Sequence, residues 1–213
     1  ARPATTLANI NQAILLVPAA QLRETQYYYD KVGRLTYDIN ALGYVNNYRY
    51  DAIGQLISSK QSNFTTDSIL DLLRTKDVSG NFTTPRPELN ADNLEKAFKL
   101  VPIVNYKENN SYYDKDGRLN YSIDAMSYVT RYSYDAYDNV ISIIRFKAAT
   151  TLSRSSTLAQ LDVAFKTVTT LPDHTMIQYG YDTLNRKVKE TDAEGFSVET
   201  GYDAFGNTIW VKD

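Results

Sequence analysis

Three stretches of the chain alternate polar and apolar residues with a period of two, and the segments before them repeat at intervals closer to 3.6. In "YVNNYRY", Tyr44, Tyr48 and Tyr50 fall on one face and Val45, Asn47 and Arg49 on the other, as in a strand with its two faces unlike. Tyr128, Tyr132 and Tyr134 repeat that face, and Phe196, Val198 and Tyr202 give a third version of it. The pattern changes in "TTLANINQAILLVP" (5–18), "ELNADNLEKAFKLVP" (88–102) and "SSTLAQLDVAFKTV" (155–168), where apolar residues such as Leu94, Ala97, Phe98 and Val101 recur at helical spacing. Thr6, Asn90 and Ser156 stand near the starts as N-caps, and Pro18, Pro102 and Pro172 lie beyond the ends. "DSILDLLRT" (67–75) predicts a further helix capped by Thr66.

The strand-patterned stretches are copies of one another. Residues 29–55 recur at 113–139 with a shift of 84 and at 181–207 with a shift of 152, without gaps. Each block holds three four-residue segments that begin with an acid or its amide, spaced by 10 and then 11 residues. They start at Asp30, Asn40 and Asp51, at Asp114, Asp124 and Asp135, and at Asp182, Asp192 and Asp203. Their fourth residues are Gly33, Gly43 and Gly54, then Gly117, Ser127 and Asp138, then Asn185, Gly195 and Gly206. Asp at the first position of a type I turn accepts backbone N–H bonds, and Gly at the fourth takes the left-handed conformation of a G1 bulge. Nine such segments in one register predict nine reverse turns joining strands of six or seven residues. Each block is then a β-meander whose aromatic face comprises Tyr29, Tyr44, Tyr48 and Tyr50, then Tyr113, Tyr128, Tyr132 and Tyr134, then Tyr181, Phe196 and Tyr202.

A mainly β array of hairpins with short helical inserts follows, divided into modules 1–61, 62–145 and 146–213. The match of "PATTL" near the start to "AATTL" at 148–152 places the counterpart of Ala1 directly after Asp213. That register predicts an array that continues head to tail, into further repeats or into another copy. An open array has sheet edges that seek partners, and a head-to-tail contact that does not close builds a filament.

"YYYDKVGRLTYDINALGYVNNYRYDAIGQLI" resembles the YD repeat, also called the RHS repeat, and the blocks at 112–135 and 181–209 resemble further copies. The motif Tyr-Asp-x-x-Gly-Arg-Leu is intact at 29–35 and 113–119, while the third copy carries Asn185 for Gly and Lys187 for Leu. The resemblance implies hairpin strips winding as a spiral. In RHS proteins and insecticidal toxin complexes such strips form a hollow shell around a cytotoxic domain, and in teneurins a similar barrel serves adhesion. It implies a secreted or cell-surface protein with an enclosed toxin domain as a partner, beside the copies of itself or further repeats that the register predicts, and rows of exposed tyrosines offer a stacking platform for a glycan. The helical inserts resemble those of some very long bacterial YD-repeat surface proteins.

Composition narrows the chemistry. A net charge of −2 offers no basic excess for nucleic acid, and the longest apolar run, "AILLVPAA", is too short to span a bilayer. Zero cysteines exclude disulfides and thiolate metal sites. His174, the one histidine, follows Asp173 in "LPDHT" and reads as an exposed loop residue. No G-x-S-x-G elbow accompanies it. The acids at turn starts are held ionised by local hydrogen bonds, opposite to the raised-pKa acid that a glycosidase needs. "DKDGRLNYSID" lacks calcium-loop spacing. The sequence therefore predicts no enzyme, no cofactor and no metal, but a structural wall of a tube, fibre or shell.

Overall fold

The computed structural model describes residues 24–166 and 173–213. The helix expected over 5–18 with its cap Thr6 and stop Pro18, the end match at residues 1–7, and Pro172 lie outside them.

The described chain forms a mainly β fold, a twelve-stranded antiparallel sheet whose spatial order follows chain order, with short helices inserted. The strands are β1 (Gln26–Tyr29), β2 (Leu35–Ile39), β3 (Tyr44–Tyr50), β4 (Leu56–Thr65), β5 (Tyr106–Tyr113), β6 (Leu119–Ile123), β7 (Tyr128–Tyr134), β8 (Val140–Ala149), β9 (His174–Tyr181), β10 (Lys187–Thr191), β11 (Ser197–Tyr202) and β12 (Thr208–Lys212). Helices α1 (Thr66–Asp71) and α2 (Ala91–Phe98) follow β4, and α3 (Leu158–Phe165) follows β8. β4 and β8 run to ten residues, longer than the six or seven expected. Two compact units are present, one comprising Ala1–Tyr48 with Gln61–Tyr106 and the other Arg49–Lys60 with Lys107–Asp213.

In the first unit, helices cover the sheet face opposite the predicted tyrosine face. Tyr37, Ile39 and Val45 of the sheet are buried with Ile69 of α1 and Leu94, Ala97 and Phe98 of α2. α2 forms where the sequence places it. Asn90 accepts a hydrogen bond from the Asn93 N–H at 2.9 Å, Leu94, Ala97 and Phe98 face inward, and Pro102 follows the last turn. The Phe98 ring lies 6.0 Å from Tyr37 and 6.5 Å from Tyr106. Burying one such side chain contributes roughly 1.5–3 kcal/mol.

α1 departs from expectation at both ends. Its N-cap is Thr65, and the Thr66 hydroxyl instead donates to the Gly43 carbonyl at 2.8 Å. The helix stops at Asp71, well before residue 75. The reason is a tenth turn of the same chemistry that sequence reasoning passed over, "DVSG" at 77–80. The Asp77 carboxylate accepts from the N–H groups of Ser79 and Asn81, Gly80 has φ +85°, and Lys76 bridges Phe82. The hairpin around this turn claims the residues that a longer α1 would need.

The second unit repeats the plan with other residues. Tyr121, Ile123, Val129, Ile144 and Phe146 are buried with Leu161 of α3. The cap of α3 is Thr157 rather than Ser156, because Thr157 and Gln160 close a reciprocal capping box. The Tyr121 hydroxyl donates to Asp162 at 3.0 Å, and burial, reinforced by that bond, raises its pKa. Arg131 donates to the carbonyls of Phe165 and Lys166 at the C-terminus of α3, where a cation is favoured.

The third block differs. The counterparts of Tyr37, Ile39 and Val45 are Tyr121, Ile123 and Val129 in the second block but Lys189, Thr191 and Ser197 in the third. That face bears a Lys189–Glu199 ion pair and a Thr191–Ser197 hydrogen bond instead of a helix-covered core. Trp210 lies across Gly201, where an added Cβ would come within 2.1 Å of the indole. His174 begins β9 half-buried, its ring 6.3 Å from Phe146, rather than standing exposed in a loop.

Candidate functional site: the ladder of turns

All nine predicted turns have one geometry. In each, the first residue's N–H bonds the carbonyl four residues on, and the fourth residue's N–H returns to the first carbonyl. The fourth residue has positive φ in every case, including Ser127 (+68°), Asp138 (+66°) and Asn185 (+59°). The first residue's Oδ1 accepts from the N–H groups two and four residues on, from Val32 and Arg34 at Asp30 through Phe205 and Asn207 at Asp203. Each carboxylate thus serves its own turn.

The electrostatics follow from those bonds. The Arg34 and Arg186 backbone N–H groups, helped by the guanidinium of the same residue, lower the pKa of Asp30 and Asp182. The Asn139 and Asn207 side-chain amides do the same for Asp135 and Asp203. At Asp114 burial acts the other way but is outweighed by hydrogen bonds from Arg118. These are acids held ionised, without a group poised to deliver a proton.

The fifth position of the turn carries the link to the next turn. In the second unit the turns beginning at Asp51, Asp114, Asp135, Asp182 and Asp203 line up at one end of the sheet. Gln55 Nε2 donates to the Gly117 carbonyl at 2.6 Å. Arg118 Nη1 donates to Asp138 at 2.8 Å. Asn139 Nδ2 donates to Asn185 Oδ1 at 2.9 Å, and Arg186 Nη1 to the Asp203 carbonyl at 2.8 Å. The two arginines bond their own turn acid as well and stack over the tyrosine before the next acid, Arg118 over Tyr134 at 5.1 Å and Arg186 over Tyr202 at 4.9 Å.

That tyrosine closes a second ladder. The residue before each of the last four of these acids donates its hydroxyl to the carbonyl five residues beyond the previous acid: Tyr113 to Leu56, Tyr134 to Leu119, Tyr181 to Val140 and Tyr202 to Lys187, at 2.8–3.0 Å. Tyr-Asp-x-x-Gly-Arg-Leu therefore has a physical meaning at every fixed letter. Tyr bonds the preceding strand, Asp nucleates the turn, Gly supplies the left-handed corner, Arg reaches the next turn, and the carbonyl of the last residue receives the next Tyr. The sequence carried the motif, but its links between turns could not be read without knowing which turns are neighbours.

The other predicted aromatic residues lie on the face away from the helices. Tyr29, Tyr44 and Phe196 are exposed, and Tyr48, Tyr50, Tyr128 and Tyr132 are half-buried. The Tyr48 hydroxyl donates to Asp38 at 2.7 Å, and the Arg145 guanidinium lies 5.7 Å from the Tyr128 ring. An open cleft of about 390 Å³ on this face of the second unit is bounded by Tyr137, Ile141, Tyr179 and Tyr181 with Asp135 and Asp182. Both acids already serve their turns. Among the described residues no group of three or more His, Cys, Asp or Glu side chains is placed to hold a metal ion. None of the helices described is long and apolar enough to cross a membrane.

No family model matches the chain, and no curated protein matches it by sequence. Solved structures similar to it include one titled "Crystal Structure of TcdB2-TccC3", 15% identical over 88% of this chain with a TM-score of 0.25. Another is the Photorhabdus luminescens Tc holotoxin pore, 14% identical over 88% of this chain with a TM-score of 0.23. The chain spans 12% and 11% of those chains.

Proposed function

We propose that this chain is a non-catalytic wall segment of an extracellular YD-repeat protein, built from modules 1–61, 62–145 and 146–213, and that its work is to extend and stiffen a β array. The observation that carries this reading is the double ladder. In the second unit, the polar groups that first suggest a binding site, Asp, Arg, Asn and the Tyr hydroxyls, are engaged by neighbouring turns and strands. A site for a ligand needs such groups aimed outward.

A second reading, a shell enclosing a toxin domain, is favoured by the unlike faces of the sheet. In the first two blocks, helices pack one face of the sheet, and the tyrosine face is left bare, which gives a wall an inside and an outside. The chains of similar structure carry toxin-complex titles, and the YD motif is shared with shells of that kind.

Glycan binding is the competing class, and titration decides between them. The wall reading predicts no saturable binding of the purified chain to any member of a glycan array. Saturable binding lost in Tyr48→Ala and Tyr132→Ala variants with unchanged melting temperature would overturn it.

A further inference from the structure

Among the described residues, strand β12 is the last in the sheet and all five of its residues are exposed, among them Ile209, Trp210 and Val211. A strand with an unpaired, largely apolar edge is a template for another strand. At the other edge, β1 exposes Tyr27 and Tyr29.

The repeat specifies how these edges meet. β8 and β9 join the second block to the third with Ser142 opposite Gln178, Ile143 opposite Ile177 and Ile144 opposite Met176. Carrying β8 forward by 68 residues gives β12, and carrying β9 back by 152 gives β1. In that register Trp210 falls opposite Gln26, Val211 opposite Thr25, Ile209 opposite Tyr27 and Lys212 opposite Glu24. Exposed Ile209 thereby meets exposed Tyr27, and the charges of Lys212 and Glu24 are of opposite sign. Directly opposed charges of opposite sign favour a strand pair, whereas like charges oppose it.

The tyrosine ladder also continues. Tyr181 donates to the Val140 carbonyl, and the same shifts place Tyr29 against the Thr208 carbonyl. Asn139 donates to the Asn185 side chain of the turn that follows it in the sheet, whereas the counterpart of Asn185 is Gly33, which has no side-chain acceptor for Asn207.

We infer that β12 of one copy of this chain pairs antiparallel with β1 of a second copy, with Trp210 opposite Gln26, so that copies join head to tail. The inference rests on the wall reading and names its partner. The contact is heterologous, each copy using a different edge, and builds a filament where its rotation does not close.

Register-specific cross-linking tests it, since the chain has no cysteine of its own. Thr25→Cys chains are mixed with Val211→Cys chains under oxidising conditions, and a parallel mixture uses Ile209→Cys, two residues out of register. A disulfide heterodimer in the first mixture and its loss in the second is the expected result. In parallel, the fluorescence of Trp210, the only tryptophan, shifts to shorter wavelength as the concentration of the unsubstituted chain rises. Lys212→Glu abolishes this shift, and Glu24→Lys in the mixing partner restores it. Equal yields in the two mixtures, or a concentration-independent emission, would overturn the contact. Hydrogen exchange on the same samples separates the two levels. With β9 to β11 protected and no heterodimer, only the head-to-tail contact fails. With those strands unprotected, the wall reading fails with it.

Discussion

At the scale of single residues, the turns rest on two atoms, a carboxylate oxygen and a backbone without a side-chain penalty. Gly54 has φ +94°, so Gly54→Val forces a β-branched residue into the left-handed region at a cost of roughly 1–2 kcal/mol. Chemical denaturation of the two proteins measures it, and equal midpoints would contradict the turn assignment. Asn185→Gly relieves the same strain at φ +59° but deletes the acceptor for Asn139, so its stability stays close to that of the unsubstituted chain. The lowered pKa values of Asp30, Asp135, Asp182 and Asp203 set the sign of the pH dependence. Groups depressed on folding contribute stability above their unfolded value of about 3.9 and lose it as the pH falls through the folded values. Melting temperatures therefore decline below about pH 4, and Asp135→Asn, which keeps a turn-forming acceptor as Asn40 does, flattens the decline. This much was legible from "YDKVGRL", because turn chemistry is local. The second role of Arg118, donating to Asp138 and covering Tyr134, joins residues far apart in the chain, and spacing alone does not reveal it.

At the scale of elements, the helices serve the sheet by burying one face of it. Phe98→Ala removes the ring that meets both Tyr37 and Tyr106 and should destabilise the first unit by about 3–5 kcal/mol. Thr157→Ala breaks the capping box of α3 at a cost of about 1 kcal/mol. Calorimetry of each variant checks both values. α2 was legible because its cap, apolar stripe and terminal proline agree. α1 was legible as a helix but not in its bounds, because "DSILDLLRT" is helical by composition while the turn at Asp77 competes for the residues after it. The choice of covered face also escaped the sequence reading. The sequence pattern points to Tyr44, Tyr48 and Tyr50, although within β3 and β7 it is Val45 and Val129 that are 0% exposed. Lys189, Thr191 and Ser197 in place of apolar counterparts are the signal, which sequence reasoning passed over, that the third block lacks such cover.

At the scale of the molecule, the sheet order repeats the chain order, and in the second unit each of the turns at Asp114, Asp135, Asp182 and Asp203 is tied to the one before it at that end. The mainly β hairpin array was legible from the two shifts, 84 and 152, since a gapless register over nine turns leaves few alternatives. The central claim is that the turns of the second unit act on one another. Hydrogen exchange at the amides of Tyr137 and Asn139, which donate to Asp135, tests it most directly. It compares the unsubstituted chain with Arg118→Ala and with a control, Arg145→Ala, whose ion pair with Asp124 lies at the other end of the sheet. Coupled turns predict faster exchange at Tyr137 and Asn139 in Arg118→Ala alone, although neither residue's own turn has been altered. Unchanged exchange there, while the amides of Asp116 and Arg118 loosen, would contradict it.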